Sequence, residues 1–384
     1  MAIYLDYNAT TPVREEAIEA MLPLLKSGFG NPSSAHSFGR MAKEAVHGAR
    51  IRIAHAVCCQ PSQVIFTSGG SEANNLFLKG LGSTLKPSAL AISSIEHPSI
   101  AKPAETLVRS GWTLRRISVD TNGFLDMMDA ERALSNSCSM ASVMLANNET
   151  GAIQDVKTMA GLARSKKVFV HTDAVQAFGK ISIDFSALGV HALSISAHKI
   201  LGPKGIGALI LDKRLALSPL IEGGGQESGL RSGTENVAAI AGFGLAAELA
   251  ASELSGRMAK LGELREALER GLSGMGAILF SKNGPRLSNT AYFSFNGIDG
   301  PTLVTEMDKA GFAIASGSAC SSGATEPSAT LLAMGVDPDL ARGAVRVSLG
   351  HGNTESQIAD FLSALRAVLS RLSGMMQRLQ GSTD

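Results

Sequence analysis

Between about residues 64 and 211 the chain alternates short β-branched, apolar runs with helix-like stretches, and this alternation restricts the fold more than any other feature. The spacing predicts strands at Val64–Thr67, Ala89–Ser93, Ser142–Ala146, Val168–Thr172, Ala192–Ser196 and Gly207–Leu211. Helical periodicity fills residues near 71–81, 99–110 and 155–166. Nearly continuous apolar strands separated by helices read as a mostly parallel sheet covered on both faces, an α/β architecture. A chain of 384 residues is long for one core. Beyond about 236 the pattern changes to long Ala- and Leu-rich helices reaching 275, then strands near 290–295 and 344–349. A last helix opens at Thr354-Glu355-Ser356-Gln357, a capping-box spacing. We therefore expect a large domain over 12–254 and a smaller α/β domain made of 1–11 and 255–384.

Polar residues gather where the predicted strands end: Ser68-Gly69-Gly70-Ser71, Glu96-His97, Asn147-Asn148, Asp173 with Gln176, and His198-Lys199. In open α/β sheets ligands bind beyond the carboxyl ends of the strands, so these five exits can share one pocket. The glycine-rich exit also starts a helix, whose free N–H groups suit an anion. Taken alone it reads more readily as an ordinary strand-to-helix turn, and no Gly-Lys-Ser/Thr follows to make it a nucleotide loop. A lysine and an acid at strand exits are what a pyridoxal phosphate site requires. The amine of Lys199 holds the cofactor aldehyde as a Schiff base, and the carboxylate of Asp173 faces the pyridinium nitrogen. Burial favours the neutral, nucleophilic form of such an amine. Asp173 also suits a helix cap, and His97 either a core position or a place over a cofactor ring.

Cys320 lies in Ala315-Ser316-Gly317-Ser318-Ala319-Cys320-Ser321-Ser322-Gly323-Ala324-Thr325, which has no large apolar side chain and is expected to move. Between Ala310 and Ala341 there is no Lys or Arg, so any activation of this thiol must come from a group met elsewhere. A thiol on a swinging loop, about 315–326, suits a group carrier. Arg346, inside Ala344-Val345-Arg346-Val347-Ser348, fits a solvated strand face or a clamp for a substrate carboxylate. Arg231-Ser232-Gly233-Thr234-Glu235-Asn236 is a polar loop that suits a phosphate or a subunit contact. The remaining cysteines form no CxxC pair. Cys58-Cys59 ends an apolar helical pattern and is expected in the core, while Cys138 falls in a polar connection. Nothing in these spacings supports a resident metal.

Net charge is +1, with 35 basic and 34 acidic residues and no long single-sign run, which argues against direct nucleic-acid or membrane-surface binding. The start lacks the character of a secretory signal, no apolar run approaches membrane-spanning length, and a cytoplasmic location is the expectation. The residues after Gln380 are expected to fray.

These motifs resemble one family nearly end to end. Leu5-Asp6-Tyr7-Asn8-Ala9-Thr10-Thr11, Gly30-Asn31-Pro32-Ser33-Ser34, Asn147-Asn148-Glu149-Thr150-Gly151, Ser196-Ala197-His198-Lys199, Arg231-Ser232-Gly233-Thr234 and Ser316-Gly317-Ser318-Ala319-Cys320 are similar to the NifS/IscS-type cysteine desulfurases. Those are class V aminotransferase-like enzymes of PLP fold type I. The resemblance implies Lys199 as the cofactor anchor, Asp173 on the ring nitrogen, Gln176 and Asn148 on the ring oxygen side, and His97 over the ring. It implies phosphate contacts from Gly70, Ser71, Ser196 and His198, with Thr234 of a second subunit in a homodimer. Serine at 71 stands where the family often has threonine and keeps the hydroxyl. Asn31, Asn148 and Arg346 would hold the carboxylate of L-cysteine, and Cys320 would take its sulfur as a persulfide for an acceptor such as an iron–sulfur scaffold. The rival readings are another class V enzyme, a selenocysteine lyase or aminotransferase, and a catalytically silent sulfur-trafficking adaptor.

Overall fold

The computed structural model describes residues 2–135, 137–317 and 326–380. Cys320 and the final residues 381–384 lie outside them, and with them the expectations about the thiol loop and the tail. Thirteen strands occur among the described residues: β1 (Ile3–Tyr4), β2 (Val64–Thr67), β3 (Ala89–Ser93), β4 (Thr113–Ile117), β5 (Cys138–Ser142), β6 (Phe169–Asp173), β7 (Ala192–Ser196), β8 (Gly207–Leu211), β9 (Ile278–Leu279), β10 (Thr290–Ser294), β11 (Phe312–Ala313), β12 (Ala315–Ser316) and β13 (Val345–Ser348).

Seven of them form the main sheet in the order β2-β8-β7-β6-β5-β3-β4. All pairings are parallel except those of β8, which runs against both β2 and β7. Strands β3, β7 and β8 bury every residue, as their unbroken apolar runs require. One core spreads over Ile53, Val143, Val170, Leu193, Ile195 and Phe243 on one face. A second, with Leu76, Phe77, Leu90, Ile92 and Leu209, covers the other.

Two expectations about this sheet need correction. The third predicted strand, Ser142–Ala146, is found at Cys138–Ser142. Backbone bonds nevertheless continue past it, from Val143 N to His171 O and from Leu145 N to Asp173 O, so the chain stays extended up to Asn147. The edge strand β4, Thr113-Leu114-Arg115-Arg116-Ile117, carries two arginines and an exposed pattern that hid it among loop residues. The cysteines also shift. Cys138 is buried at the start of β5, whereas Cys58 is exposed at the helix end and Cys59 only half-buried. Cys58 leaves the helix with φ +53°, which turns it away from the core.

A third core joins Leu5 to Leu261, Leu268, Phe293, Val347, Phe361 and Leu365 around the antiparallel sheet β12-β13-β10-β9. The final helix, Glu355–Gln380, packs on it and starts as the capping pattern indicated, with Gln357 N donating to Thr354 Oγ1 at 3.3 Å. Among the described residues no single helix is long and apolar enough to cross a membrane. The N-terminal segment matters most for the site. After β1, Asp6 bridges to Ser348, and Thr11 N donates to His198 O at 3.0 Å. Residues 6–11 are thereby tied to β13 at one end and to the turn after β7 at the other.

Candidate active site

The carboxyl ends of the strands open into a cavity of about 270 Å³. Its wall holds Gly70, Ser71, His97, Asn148, Asp173, Gln176, Ser196, His198, Lys199 and Arg346 together. Ten of the residues singled out in the sequence therefore meet, although they are spread over 276 positions from the first to the last. Asn31 and Thr234 do not join them. Both are exposed, and Asn31 Oδ1 accepts from Ser33 N at 2.9 Å in its own turn.

The end nearest β2 is shaped for an anion. The helix Gly70–Thr84 starts here, with Gly69 as its N-cap. A Cβ on Gly207 would lie 2.7 Å from Gly69 Cα, so the glycine on β8 is what lets this turn close over the sheet. Ser71, Ser196, His198 and Lys204 border the adjoining space, and the buried Ser196 Oγ has no partner in the protein. Burial, then the charges of Lys199 and Lys204, hold the His198 imidazole down at about 4. It is thus a neutral ring, with Nδ1 3.2 Å from Thr10 Oγ1.

At the centre, Asp173 ends β6 and stays buried. Its Oδ2 accepts from Asn74 Nδ2 at 2.7 Å, and its Oδ1 from Val175 N at 3.0 Å. The cap role that the sequence left open is thus only a turn contact. The first helix turn supplies Asn74, three residues after Ser71, and sequence reasoning passed over it. Its own Oδ1 is buried without a partner. His97 caps the helix Pro98–Arg109 by accepting from Ser99 N at 3.1 Å on Nδ1, which leaves Nε2 to carry the proton of the neutral ring. Burial lowers its pKa, aided by Lys199 and opposed by Asp173.

Lys199 closes the short turn after β7. Its Nζ donates to Asn8 O at 2.5 Å and Ala9 O at 2.8 Å, so the N-terminal segment is the lysine's rest. Leu201, with φ +64°, and Gly202, where a Cβ would press on Ala197 at 2.9 Å, fold the turn back.

On the opposite side stands Arg346 on β13, only 4% exposed. The solvated-face alternative is excluded. Nη2 lies 2.6 Å from Asp6 Oδ1 and Nη1 donates to Asn148 O at 2.9 Å, while Nε is buried without a partner. Of the two adjacent asparagines, Asn147 builds the turn, its Oδ1 accepting from Glu149 N and Thr150 N at 2.9 Å each. Asn148 faces the cavity. Glu149, also unassigned from sequence, accepts from Tyr292 Oη at 2.9 Å and Thr330 Oγ1 at 3.0 Å. Ser328 Oγ donates to it at 2.5 Å.

Asn74, Ser196 and Arg346, each carrying a buried polar atom without a partner, thus stand in the wall of a cavity that also holds an amine and a carboxylate. A native core leaves few such atoms, and those it leaves point to a bound group. An anion end, a central carboxylate and an amine together fit pyridoxal phosphate.

Comparison with known proteins agrees. The Aminotransferase class-V family matches residues 3–361. A cysteine desulfurase IscS of Dictyoglomus turgidum is 41% identical, covering 96% of this chain and 95% of the relative. One from Clostridium botulinum is 40% identical over 96% and 94%. Among solved structures, a NifS-like protein superposes with a TM-score of 0.92 at 36% identity, covering 96% of this chain and all of that one (100%). SspA, solved in complex with cysteine, gives 0.81 at 33% identity, with coverage of 90% and 98%. The chain belongs to the class V aminotransferase family of pyridoxal phosphate enzymes, on its cysteine desulfurase branch.

Proposed function

We propose that this cavity takes sulfur from L-cysteine, leaving L-alanine and a persulfide on Cys320. The convergence of Lys199, Asp173, His97 and Arg346 on one wall carries the reading. Pyridoxal phosphate, when bound, supplies the electron sink that weakens the substrate's Cα–H bond and makes the Cβ–S bond breakable. Lys199 Nζ would anchor its aldehyde end, and Asp173, held by Asn74, would meet the ring nitrogen. Gln176 and Asn148 would face the ring oxygen and His97 the ring plane, with Gly70, Ser71, Ser196 and His198 at the phosphate.

Lys199 also stands as the base that moves a proton at the substrate's Cα. Arg346 would take the substrate carboxylate through Nε, with Asn148 beside it. The Cys320 thiolate attacks the substrate sulfur; an S–S bond forms and the Cβ–S bond breaks. The electron pair remains on Cβ, which is protonated to give alanine.

A homodimer is part of the same reading. Ile18, Leu22 and Leu25 line one face of the helix Glu15–Lys26, and Phe29, which is 76% exposed, stacks on Phe38 at 5.4 Å. An exposed apolar row of this extent is suited to a second copy. Thr234, exposed and not part of its own cavity wall, would then serve the neighbouring one. The persulfide would pass to an acceptor protein such as an iron–sulfur scaffold, since the described end of the loop at Glu326 is solvent-exposed.

The test is stoichiometric release of sulfide and alanine from L-cysteine with a reductant. Cys320→Ala should keep the cofactor's visible absorbance and form no persulfide. Undiminished sulfide from that variant would overturn the cysteine's role, and a wild type that yields no alanine would overturn the function.

A further inference from the structure

Lys180 is a buried amine, 8% exposed, that no step above uses. Its Nζ donates to Asn8 Oδ1 and to Gln176 Oε1, both at 2.8 Å. Both acceptors line the cofactor cavity. Burial drives this amine well below the usual lysine range, and Lys199, Arg346 and Arg257 push the same way. A group so costly to bury is retained here between two amides.

The amide orientations follow from it. With its oxygen against Lys180, Gln176 presents Nε2 to Asn8 O at 2.8 Å. Reversed, the amide would set its oxygen against that carbonyl oxygen. Asn8 in turn faces Lys180 and Asn289 with Oδ1, and sends Nδ2 to Thr290 Oγ1 at 2.9 Å and Asn148 O at 3.2 Å. The carbonyl of Asn8 is also the rest of Lys199 Nζ. One amine thereby sets the donor face of Gln176 and the seat of the anchoring lysine.

We propose that Lys180 is a positioning residue for the cofactor's ring-oxygen side: it holds Gln176 Nε2 as a donor and pins the Asn8–Ala9 segment beneath Lys199. This rests on the reading of Gln176 as the ring-oxygen donor. Lys180→Met preserves the packing of the methylenes and removes the donor. In the holoenzyme, the bound cofactor's long-wavelength visible band should weaken toward the shorter-wavelength form, and its dissociation constant should rise about tenfold, the effect of one lost hydrogen bond. Lys180→Gln, which restores an N–H donor, should recover part of the band. If the Met variant does not fold, Lys180→Gln is compared with the wild type instead, and a band and affinity wholly like the wild type's would then overturn the proposal. In the Gln176→Ala background, Lys180→Met should produce a smaller spectral change than it does in the wild type.

A Met variant with wild-type band and affinity, beside a Gln176→Ala variant that has lost them, would overturn the proposal and leave the site reading standing. Fully additive effects in the double variant would overturn it too. If Gln176→Ala itself leaves the band unchanged, the assignment of Gln176 falls and the proposal with it, while Lys199→Ala still reports on the anchor.

Discussion

Asn74 Nδ2 lies 2.7 Å from Asp173 Oδ2 and 2.9 Å from Ser99 Oγ, so one amide in the first turn of a helix orients the carboxylate at the end of β6. A hydrogen bond to a charged group contributes about 1.5–3 kcal/mol. Asn74→Ala should therefore weaken pyridoxal phosphate binding by roughly ten- to a hundredfold. Titrating the cofactor-free protein while following visible absorbance measures this directly. Unchanged affinity would show that Asp173 needs no such support.

Arg346 is engaged before any substrate arrives. Its pairing with Asp6 at 2.6 Å orients the guanidinium and leaves Nε without a partner in the protein. Arg346→Lys supplies a charge without the planar fork. It should raise KM for L-cysteine by about tenfold or more, one lost charge-assisted bond, with cofactor absorbance unchanged. Asp6→Asn should give a smaller rise, since an amide oxygen can still receive Nη2. If both variants keep the wild-type KM, the carboxylate clamp lies elsewhere.

Gly317, at the entry to the cysteine segment, sits so close to Tyr292 that a methyl group there would overlap the phenol oxygen. That hydroxyl donates to Glu149, which also receives Ser328 and Thr330 beyond the segment. Gly317→Ala must displace one stem or break the Tyr292–Glu149 bond. Persulfide formation should fall at least about tenfold, the scale of a small misplacement of a reacting group, while cofactor absorbance is retained. Tyr292→Phe in that background removes the overlap with the oxygen, leaving the ring carbon at 2.9 Å, and should restore part of the rate. Equal rates in the wild type and Gly317→Ala would dissociate this contact from sulfur transfer.

Much of this was legible because it is periodic or local. Asp173 and Lys199 could be placed from the apolar runs that lead into them, since a buried strand's end fixes where its next polar residue emerges. Lys180, Asn8 and Asp6 could not. Their partners lie 140 to 340 positions away or follow from which way a helix faces, and only the assembled topology brings them together. Asp6 and Asn8 stood within the matched N-terminal motif, but a motif states identity and not contact. Edge strand β4 was hidden for the opposite reason. Its exposed arginines break the apolar signal that the central strands owe to burial.

Glu96 offers a pH test. Its carboxyl end is shut from solvent, accepts from Ser93 Oγ and Met144 N, and keeps Oε2 without a partner. Burial raises its pKa from the ordinary carboxylate range to about 8. The folded chain thus holds a proton that the unfolded chain has released once the pH passes about 4.5. This contribution to stability is complete below that pH and is lost as pH rises toward 8, on the order of 1 kcal/mol per unit. Glu96→Gln keeps the amide-to-oxygen contact with Met144 and cannot ionise. Relative to wild type, the cofactor-free variant should therefore gain in urea midpoint between pH 5.5 and pH 8, other groups cancelling in the comparison. Parallel midpoints across that range would mean that Glu96 is ionised in the folded protein.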